Sequence, residues 1–325
     1  MMKLSAALTQ LLIVGALMFF AGSALSQQAY PSKPIRFIIP FAPGGSTSIL
    51  ARLVSERLIE SWGQQVLVDN RPGGNTVIGT EALVKSPPDG YSILLITTSH
   101  VTYPLLLPTP YDPIKDFAAV ATLGISEYML ALNPSVPANN LQEFIAYAKS
   151  KPGQLNFSTA GSGGLDYLAG ELFNILAGVK MQHVPYKGAA PAITDLVGGQ
   201  VHLSFALPIN VLNFVKAGKI KAIAISGKIR MEAVPQMPTF AEAGMPSFEI
   251  SVWFGMLAPA GTPKEIIDKL STEIAKIIAI PDIKEKLASL GMHPFTSTPE
   301  QFASLIKADS AKYAKVIKAA NIKRD

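Results

Sequence analysis

The chain contains no cysteine, and it has only four histidines among its 325 residues. The absence of cysteine excludes disulfides, a thiol nucleophile and a lipid-anchored N-terminal cysteine. It also excludes zinc sites built on thiolates, and four scattered histidines leave little to hold a metal. Charged residues are scarce as well, at 16% of the chain, and the formal net charge is only +5. We therefore expect neither a metal nor another cofactor, and no nucleic-acid partner.

Long apolar runs are missing from most of the sequence. Crossing a bilayer requires roughly 18 or more apolar residues in a row, and the N-terminus is the one region that approaches this. There Lys3 precedes the apolar segment 11–20 and the small residues of segment 21–26. This order predicts a secretory signal peptide over residues 1–26, cleaved near Ser26. We expect the mature protein to be exported, soluble, not lipidated and monomeric.

The sequence also lacks the patterns that mark common catalytic sites. No G-x-S-x-G elbow is present, so neither Ser158 nor Ser162 has the context of a nucleophile. The glycines of segment 161–164 depart from the dinucleotide pattern G-x-G-x-x-G, because Asp166 stands at the last glycine. Asp166 and Glu171 have no evident partner for acid–base chemistry, and we interpret them as solvated helix residues. These absences argue against an enzyme.

The sequence does contain a regular alternation of strand-like and helix-like segments, with 49% hydrophobic residues overall. Such alternation predicts an α/β protein with parallel sheets covered by helices on both faces. The predicted strands are 35–41, 65–70, 92–98, 118–123, 129–133, 155–159, 181–186, 201–206, 220–226 and 252–259. The predicted helices between them are 46–61, 77–85, 141–151, 165–177 and 189–197. Three proline-started helices end the chain: 263–280, 281–290 and 299–320.

No linker, repeat or low-complexity tract divides the chain, so a domain boundary must lie inside ordered segments. A chain of this length favours two lobes over one. We predict that strands near 118–133 and 245–255 cross between two α/β lobes. Domain 1 is then discontinuous, with residues 27–128 and 250–325, and domain 2 comprises residues 129–249.

Four loops at the predicted carboxyl ends of strands are candidates for a ligand site, because open α/β sheets bind ligands at this edge. They are 41–48, 70–79, 97–103 and 158–164. In the first, a Pro/Gly turn leads into Ser46, Thr47 and Ser48 at a helix start. Free backbone N–H groups, hydroxyls and the positive end of the helix dipole suit an anion there. Loops 41–48 and 158–164, one from each lobe, are placed to hold one carboxylate from opposite sides.

A series of short motifs runs through nearly the whole mature chain. They are Tyr30-Pro-Ser-Lys-Pro-Ile-Arg, Pro40-Phe-Ala-Pro-Gly-Gly-Ser-Thr, Val68-Asp-Asn-Arg-Pro-Gly-Gly, Pro87-Pro-Asp-Gly-Tyr91, Val184-Pro-Tyr-Lys-Gly188, Leu196-Val-Gly-Gly-Gln-Val201, Pro238-Thr-Phe-Ala-Glu-Ala-Gly244 and Trp253-Phe-Gly-Met-Leu-Ala-Pro-Ala-Gly-Thr-Pro263. Each motif alone is modest, but in this order and spacing they are specific. On these motifs the chain resembles the substrate-binding receptors of tripartite tricarboxylate transporters, the Bug or TctC-like proteins.

The resemblance implies a two-lobed periplasmic binding protein of the Venus-flytrap form, type II-like, in which each lobe is a sheet flanked by helices. It implies a receptor, not an enzyme, that delivers a small carboxylate to the membrane components of a tripartite transporter. In such receptors the loops matching 41–48 and 158–164 hold one carboxylate through backbone and hydroxyl groups, with bridging waters. The ligand-binding residues we predict are Phe41, Ala42, Pro43, Ser46, Thr47, Ser48, Asn75, Thr98, His100, Ser158, Thr159, Ala160, Gly161, Gly163, Tyr167 and Phe205.

The chain departs from the usual pattern of these receptors at several positions. Ser48 stands where an aspartate is frequent, Tyr167 where a histidine is frequent, and Gly164 where serine or threonine is frequent. The strand that often carries two aspartates is Val201-His-Leu-Ser-Phe-Ala206. Fewer carboxylates favour a ligand that is anionic at both ends, since like charges repel in a closed cleft. We therefore predict a dicarboxylate.

Aromatic residues near the predicted loops make terephthalate the sharper hypothesis within that class: Phe41, Tyr103, Tyr167 and Phe205. Two other functions stay open at this point. One is a periplasmic sensor that binds the same ligand but signals to a membrane kinase. The other is a hydrolase or isomerase on the same fold, which the missing catalytic patterns disfavour. For His100, a buried structural role is as compatible with the sequence as a ligand contact.

Overall fold

A computed structural model describes residues 30–319 and residue 322, and these residues form ten strands and ten helices. The strands are β1 (Ile35–Ile39), β2 (Val66–Asn70), β3 (Ser92–Thr97), β4 (Phe117–Glu127), β5 (Met129–Leu132), β6 (Asn156–Thr159), β7 (Gln182–Pro185), β8 (Leu203–Ala206), β9 (Lys221–Ile225) and β10 (Ser251–Pro259). The helices are α1 (Ser46–Trp62), α2 (Val77–Val84), α3 (Ser99–Leu106), α4 (Leu141–Ser150), α5 (Leu165–Ala177), α6 (Ala189–Val197), α7 (Pro208–Lys216), α8 (Lys264–Ala279), α9 (Pro281–Ser289) and α10 (Pro299–Ala319).

The strands form two sheets of five with the same internal plan. The first has the order β2-β1-β3-β10-β4 and the second the order β7-β6-β8-β5-β9. In each sheet three strands pair in parallel, and the two remaining strands pair antiparallel. The expectation of all-parallel sheets was therefore wrong for β5 and β10. Both strands carry the continuous apolar run that is typical of a buried strand of either direction, so hydropathy could not assign their direction.

We call the first sheet with its helices lobe 1, and the second sheet with its helices lobe 2. The chain passes from β4 to β5 through the single residue Tyr128, and it returns from β9 to β10 through segment 226–250. Lobe 1 is thus built from the two ends of the described chain and lobe 2 from its middle. The architecture is the predicted two-lobed α/β fold, while the exact domain boundaries stay a prediction.

Each lobe has its own apolar core, and a glycine permits one close contact in each. In lobe 1 the ring of Phe302 from α10 lies against Gly255 of β10, where a Cβ would overlap the ring. In lobe 2 the ring of Phe157 from β6 lies against Gly170 of α5 in the same way. These glycines bring helix and strand together more closely than any larger residue would allow.

Two helices were missed from the sequence. Segment 97–103 was expected to be a loop, but α3 begins within it at Ser99 and contains Pro104. Helix α7 follows β8 directly and begins at Pro208, which suits the first helical turn because its missing N–H has no partner there anyway. Both helices are short, with eight and nine residues, so their apolar periodicity is too brief to be distinctive.

Within the described residues, none of the helices is both long and apolar enough to cross a bilayer. The predicted signal peptide, residues 1–26, lies outside the described part of the chain.

Candidate functional site

A cavity of about 50 Å³ lies between the two lobes. The lobes meet directly around it: the Ala42 N–H donates to the Lys187 carbonyl at 3.0 Å, and the Thr102 hydroxyl donates to the Gly163 carbonyl at 3.0 Å. The lobes are therefore closed on each other. The space suits a few water molecules or one small polar group.

The loop between β1 and α1 forms the lobe 1 side of this cavity, through Phe41, Gly45, Ser46 and Thr47. The first hydrogen bond of α1 runs from the Ile49 N–H to the Gly45 carbonyl, at 3.1 Å. The N–H groups before Ile49 therefore have no acceptor within the helix, and the helix dipole places positive potential at the same point. This wall offers hydroxyls and backbone donors and carries no charged side chain of its own.

Asn70, the last residue of β2, fixes this loop from behind. Its side-chain amide donates to the Phe41 carbonyl at 3.0 Å and to the Ser48 hydroxyl oxygen at 2.7 Å. Ser48 is 1% exposed and is not among the residues that line the cavity. The structure thus places Ser46 and Thr47 at the cavity wall, but it turns Ser48 toward Asn70 instead of the cavity.

The loop between β6 and α5 forms part of the lobe 2 side, through Ala160 and Asp166. One carboxylate oxygen of Asp166 accepts from the Ala160 N–H at 2.6 Å, and the other accepts from the Tyr167 N–H at 3.0 Å. Gly164 leaves room for this carboxylate, since a Cβ there would overlap Asp166 Oδ1. The interpretation of Asp166 as a solvated residue was wrong, because it is only 8% exposed and faces the cavity.

Burial dominates the electrostatics of Asp166. Desolvation raises the pKa of its carboxyl to about 6, although hydrogen bonds from backbone N–H groups act in the opposite direction. Two tyrosines share this environment, Tyr103 from α3 and Tyr128 from the crossing between the sheets. Burial first, and the Asp166 carboxylate second, raise the pKa of both phenols well above the usual range. Both phenols are therefore protonated at neutral pH.

The other predicted residues of loop 158–164 shape the loop more than they line the cavity. The Thr159 hydroxyl donates to the Gly161 carbonyl at 2.8 Å and lies 2.7 Å from His183 Nε2. The Ser158 side chain is fully buried beneath the cavity wall. The ring of Tyr167 packs against that of His183, with centroids 4.6 Å apart. The cavity lining includes Ala160 from this group but not Ser158, Thr159, Gly161, Gly163 or Tyr167.

Segment 97–103 reaches the cavity through different residues from those predicted. Thr97 and Ser99 line it, whereas the Thr98 hydroxyl accepts from the Trp253 N–H at 3.0 Å. His100 is 1% exposed, its Nε2 lies 2.7 Å from the Pro113 carbonyl oxygen, and burial lowers its pKa to about 4. The structural alternative for His100 is therefore the one that the structure supports.

Asn75 lies on the outer side of the closed cleft. Asn75 Oδ1 accepts from the Ser162 N–H of the other lobe at 2.9 Å, so Asn75 joins the lobes. Pro43 is exposed and borders neither wall of the inner cavity. A second, open cavity of about 640 Å³ lies here, and it shares Phe41 and Ala160 with the inner one.

Sequence reasoning missed the part of the wall that comes from α6 and α7. Helix α6 contributes Ala189, Ala192 and Ile193, and α7 contributes Asn210. The signal for α6 was present in the motif Val184-Pro-Tyr-Lys-Gly188, which ends at the helix start. Gly188, with a φ of +144°, lies so close to Ala42 that a Cβ would come within 3.0 Å of the Ala42 nitrogen. On β8, by contrast, the sequence-based candidate Phe205 does line the cavity.

The cavity wall is therefore uneven in charge. Among its lining residues there is no lysine, arginine or histidine, and Asp166 is the one ionisable carboxyl. Asn210 Oδ1 is buried without a hydrogen-bond partner in the described part of the chain. Between residues 33 and 319 no cluster of histidine, aspartate and glutamate comes together that could hold a metal ion. Hydroxyls, amides and backbone N–H groups around a closed space suit binding of a small polar ligand.

The fold and sequence match known proteins along most of the chain. The family model described as "Tripartite tricarboxylate transporter family receptor" matches residues 50–322. Protein BugT of Bordetella pertussis is 36% identical over 322 residues, which cover 97% of this chain and 99% of BugT. The structure of Rpa4515 from R. palustris with adipate has a TM-score of 0.88 and 34% identity, covering 90% of this chain and 99% of that one. MatC from Rhodopseudomonas palustris with bound malate has a TM-score of 0.84 and 30% identity, covering 89% and 100%.

Proposed function

Because the chain belongs to the family of tripartite tricarboxylate transporter receptors, we propose that it captures a small dicarboxylate between its lobes and delivers it to a tripartite transporter. The observation that carries this proposal is the closed cavity between two loops that each lead into a helix start. One carboxylate of the ligand binds the hydroxyls and free N–H groups at Ser46 and Thr47. None of the described residues that line the cavity has a basic side chain, so this recognition uses neutral donors and the dipole of α1.

One observation supports a dicarboxylate over a monocarboxylate. Structures similar to this chain were determined with adipate and with malate, both of which are dicarboxylates. The inner cavity, at about 50 Å³, has room for little more than one polar end of such a ligand, so the rest of the molecule requires the lobes to part further. Opening and closing about the two crossings then accompany capture and release.

The apolar part of the wall favours a flat or aliphatic carbon skeleton. Phe205 and Ile193 line the cavity on the side of lobe 2, and Val252 lines it on the side of lobe 1. An aromatic ring stacks well against such a surface, and terephthalate is the aromatic dicarboxylate that we propose. The receptor works in the periplasm after removal of a signal peptide, and it hands the ligand to the transporter's membrane components.

Ligand binding is tested by thermal denaturation and titration calorimetry with a panel of carboxylates. The panel contains adipate, malate, terephthalate, matched monocarboxylates and amino acids. A dicarboxylate at 100-fold its Kd is expected to stabilise the protein by about 2.7 kcal/mol, which raises Tm measurably. A Tm that rises with monocarboxylates or amino acids alone would contradict the dicarboxylate proposal.

A pair of serine variants tests whether the loop before α1 binds the ligand's carboxylate. Ser46→Ala removes a hydroxyl from the cavity wall, and a hydrogen bond to a charged group contributes about 1.5–3 kcal/mol, so affinity is expected to fall roughly 10- to 100-fold. The matched control is Ser150→Ala, an exposed serine at the end of α4 whose hydroxyl donates to the Tyr147 carbonyl. Equal affinity in both variants would place the ligand elsewhere.

A further inference from the structure

Asp166 is a feature of the cleft that carboxylate binding does not explain. A negative group in the wall of a closed cavity repels an anionic ligand, and the repulsion grows as water is excluded. Among the described residues that line the same cavity, there is no lysine, arginine or histidine to compensate it. Either the ligand or the protein must therefore change its charge when the complex closes.

We propose that Asp166 makes dicarboxylate capture proton-linked, so that the closed complex forms with one proton from solvent on the Asp166 carboxyl. The O–H group then donates to the ligand's carboxylate, and a repulsive contact becomes a hydrogen bond. This inference rests on the proposed function, because it assumes an anionic ligand.

The geometry around Asp166 allows a protonated carboxyl. Each oxygen accepts one backbone N–H, from Ala160 and from Tyr167, and these bonds favour the ionised form. They do not prevent protonation, because a carboxylic acid keeps acceptor capacity for both N–H groups and adds one donor. The side chain is more than nine-tenths buried. The groups around it that interact with its charge, Tyr103 on α3 and Tyr128 between the sheets, are neutral phenols and cannot offset it.

Protonation of the Asp166 carboxyl near neutral pH also requires little free energy. Burial already raises the pKa of the free carboxyl to about 6, so protonation at pH 7 costs on the order of tenfold in affinity. Keeping two desolvated like charges in contact costs more, since neither has a cationic partner in the cavity. Binding of the anion therefore raises the pKa of Asp166 further and draws in a proton.

The consequence for pH follows from the direction of that shift. Below about pH 6 the free protein is already protonated at Asp166, and its affinity for the dicarboxylate is highest. As pH rises above 6, each complex formed must take up a proton, and affinity falls by up to about tenfold per pH unit. The receptor would thus load best in acidic surroundings.

The experiment measures adipate binding by calorimetry from pH 5 to pH 8 for three proteins. They are the wild type, Asp166→Asn, and Glu232→Gln, which removes one exposed negative charge from the loop after β9. The ligand's own carboxyls titrate alike in all three, so the difference between proteins isolates Asp166. We expect a steep loss of affinity above pH 6 in the wild type and in Glu232→Gln, and a flat profile above pH 6 for Asp166→Asn.

Proton uptake is also measured on the wild type alone, which keeps the test independent of whether the asparagine variant folds. Binding heats at pH 7.5 in two buffers of different ionisation enthalpy are expected to give close to one proton per ligand. Zero uptake, or the same pH slope in wild type and Asp166→Asn, would overturn the proposal. Preferential binding of amino acids that Asp166→Asn abolishes would also overturn it, because Asp166 would then pair with an ammonium group.

Failure of the proposed function gives a different result. In that case no dicarboxylate of the panel binds the wild type or Asp166→Asn at any pH.

Discussion

The two loops that close on the cavity look alike in sequence but differ in charge and in how they are held. Each follows a strand, contains glycines and hydroxyls, and leads into the first turn of a helix. The loop of lobe 1, residues 41–48, is held from behind by the neutral amide of Asn70. The loop of lobe 2, residues 158–164, is held from within by the carboxylate of Asp166, which also lines the cavity.

This difference shows that a loop can be fixed either outside or inside the cavity, with different consequences. Asn70 stabilises its loop without placing charge near the ligand. Asp166 stabilises its loop by accepting the Ala160 N–H, but it brings a buried charge to the place where a carboxylate is expected. In the function proposed above, lobe 1 offers neutral hydrogen-bond donors to the ligand, and Asp166 of lobe 2 makes binding sensitive to protonation.

The largest effect on ligand affinity is expected from a substitution that prevents loop 158–164 of lobe 2 from packing against lobe 1. A Cβ at Gly161 would lie 2.7 Å from the hydroxyl of Tyr103, which is 1% exposed and has no room to move. Overpacking of this kind costs about 1–3 kcal/mol, and the larger side chain of Gly161→Val is expected at the upper end, roughly a 100-fold loss of affinity. Calorimetry with adipate measures the loss.

The clash is relieved when the lobes stay apart, so the Tm of the unliganded variant is expected to change little. The matched control is Gly198→Ala, also in lobe 2, where φ is −74° and the nearest atom to a new Cβ is 3.4 Å away. Wild-type affinity in Gly161→Val would show that this contact does not form on closure.

The next effect concerns the stability of the two lobes toward pH. The folded-state pKa of Asp166, about 6, exceeds its usual value of 3.8. Its neutral form therefore stabilises the fold fully below pH 3.8, and this contribution is lost as pH rises to 6, by about 3 kcal/mol in total. Urea unfolding of wild type and Asp166→Asn at pH 4 and pH 7 should show the variant gaining that amount relative to wild type at pH 7.

The pH dependence of wild-type stability must be compared with that of Asp166→Asn, because His100 in lobe 1 contributes a pH dependence of the opposite sign. The pKa of His100 is lowered to about 4 from 6.5, so its neutral form stabilises the fold at high pH and this contribution is lost as pH falls from 6.5 to 4. His100 is present in both proteins and cancels in the difference. A pH-independent difference between wild type and Asp166→Asn would contradict a raised pKa at Asp166.

The smallest effect is expected at Ser48 in the lobe 1 loop. Ser48→Ala removes the hydroxyl that accepts from Asn70, which costs about 1 kcal/mol of stability. Since Ser48 does not line the cavity, its loss should change dicarboxylate affinity by less than about threefold. A tenfold change, measured beside Ser46→Ala, would show that Ser48 contacts the ligand after all.

Much of the fold follows from local signals in the sequence. The turn Pro43-Gly-Gly before Ser46 predicted the start of α1 because glycine and hydroxyl residues terminate one element and begin the next. Helix α5 was predicted with the observed bounds, since its apolar periodicity is long and capped by glycines. The strands β5 and β10 were found, but their antiparallel direction depends on partners far along the chain.

The site was harder to predict because neighbouring residues face opposite ways. Thr97 and Ser99 reach the cavity while Thr98, between them, binds the backbone of β10. A shift of one residue at the end of a strand moves a side chain from the cavity wall into the core. No local pattern in segment 97–103 reveals which residues face the cavity.

The sequence by itself determined the two-lobed α/β class and the membership of a receptor family, because these depend on local periodicity and motif spacing. The loop at α1 as an anion site stays a prediction from its turn chemistry. Only the tertiary structure decided that Ser48 faces Asn70 and that Asp166 is buried in the cleft. Burial of a charge depends on which surfaces from the other lobe cover it. From the sequence, a carboxylate in the first turn of a lobe 2 helix is expected to be solvated, and only its packing against lobe 1 shows that it is buried.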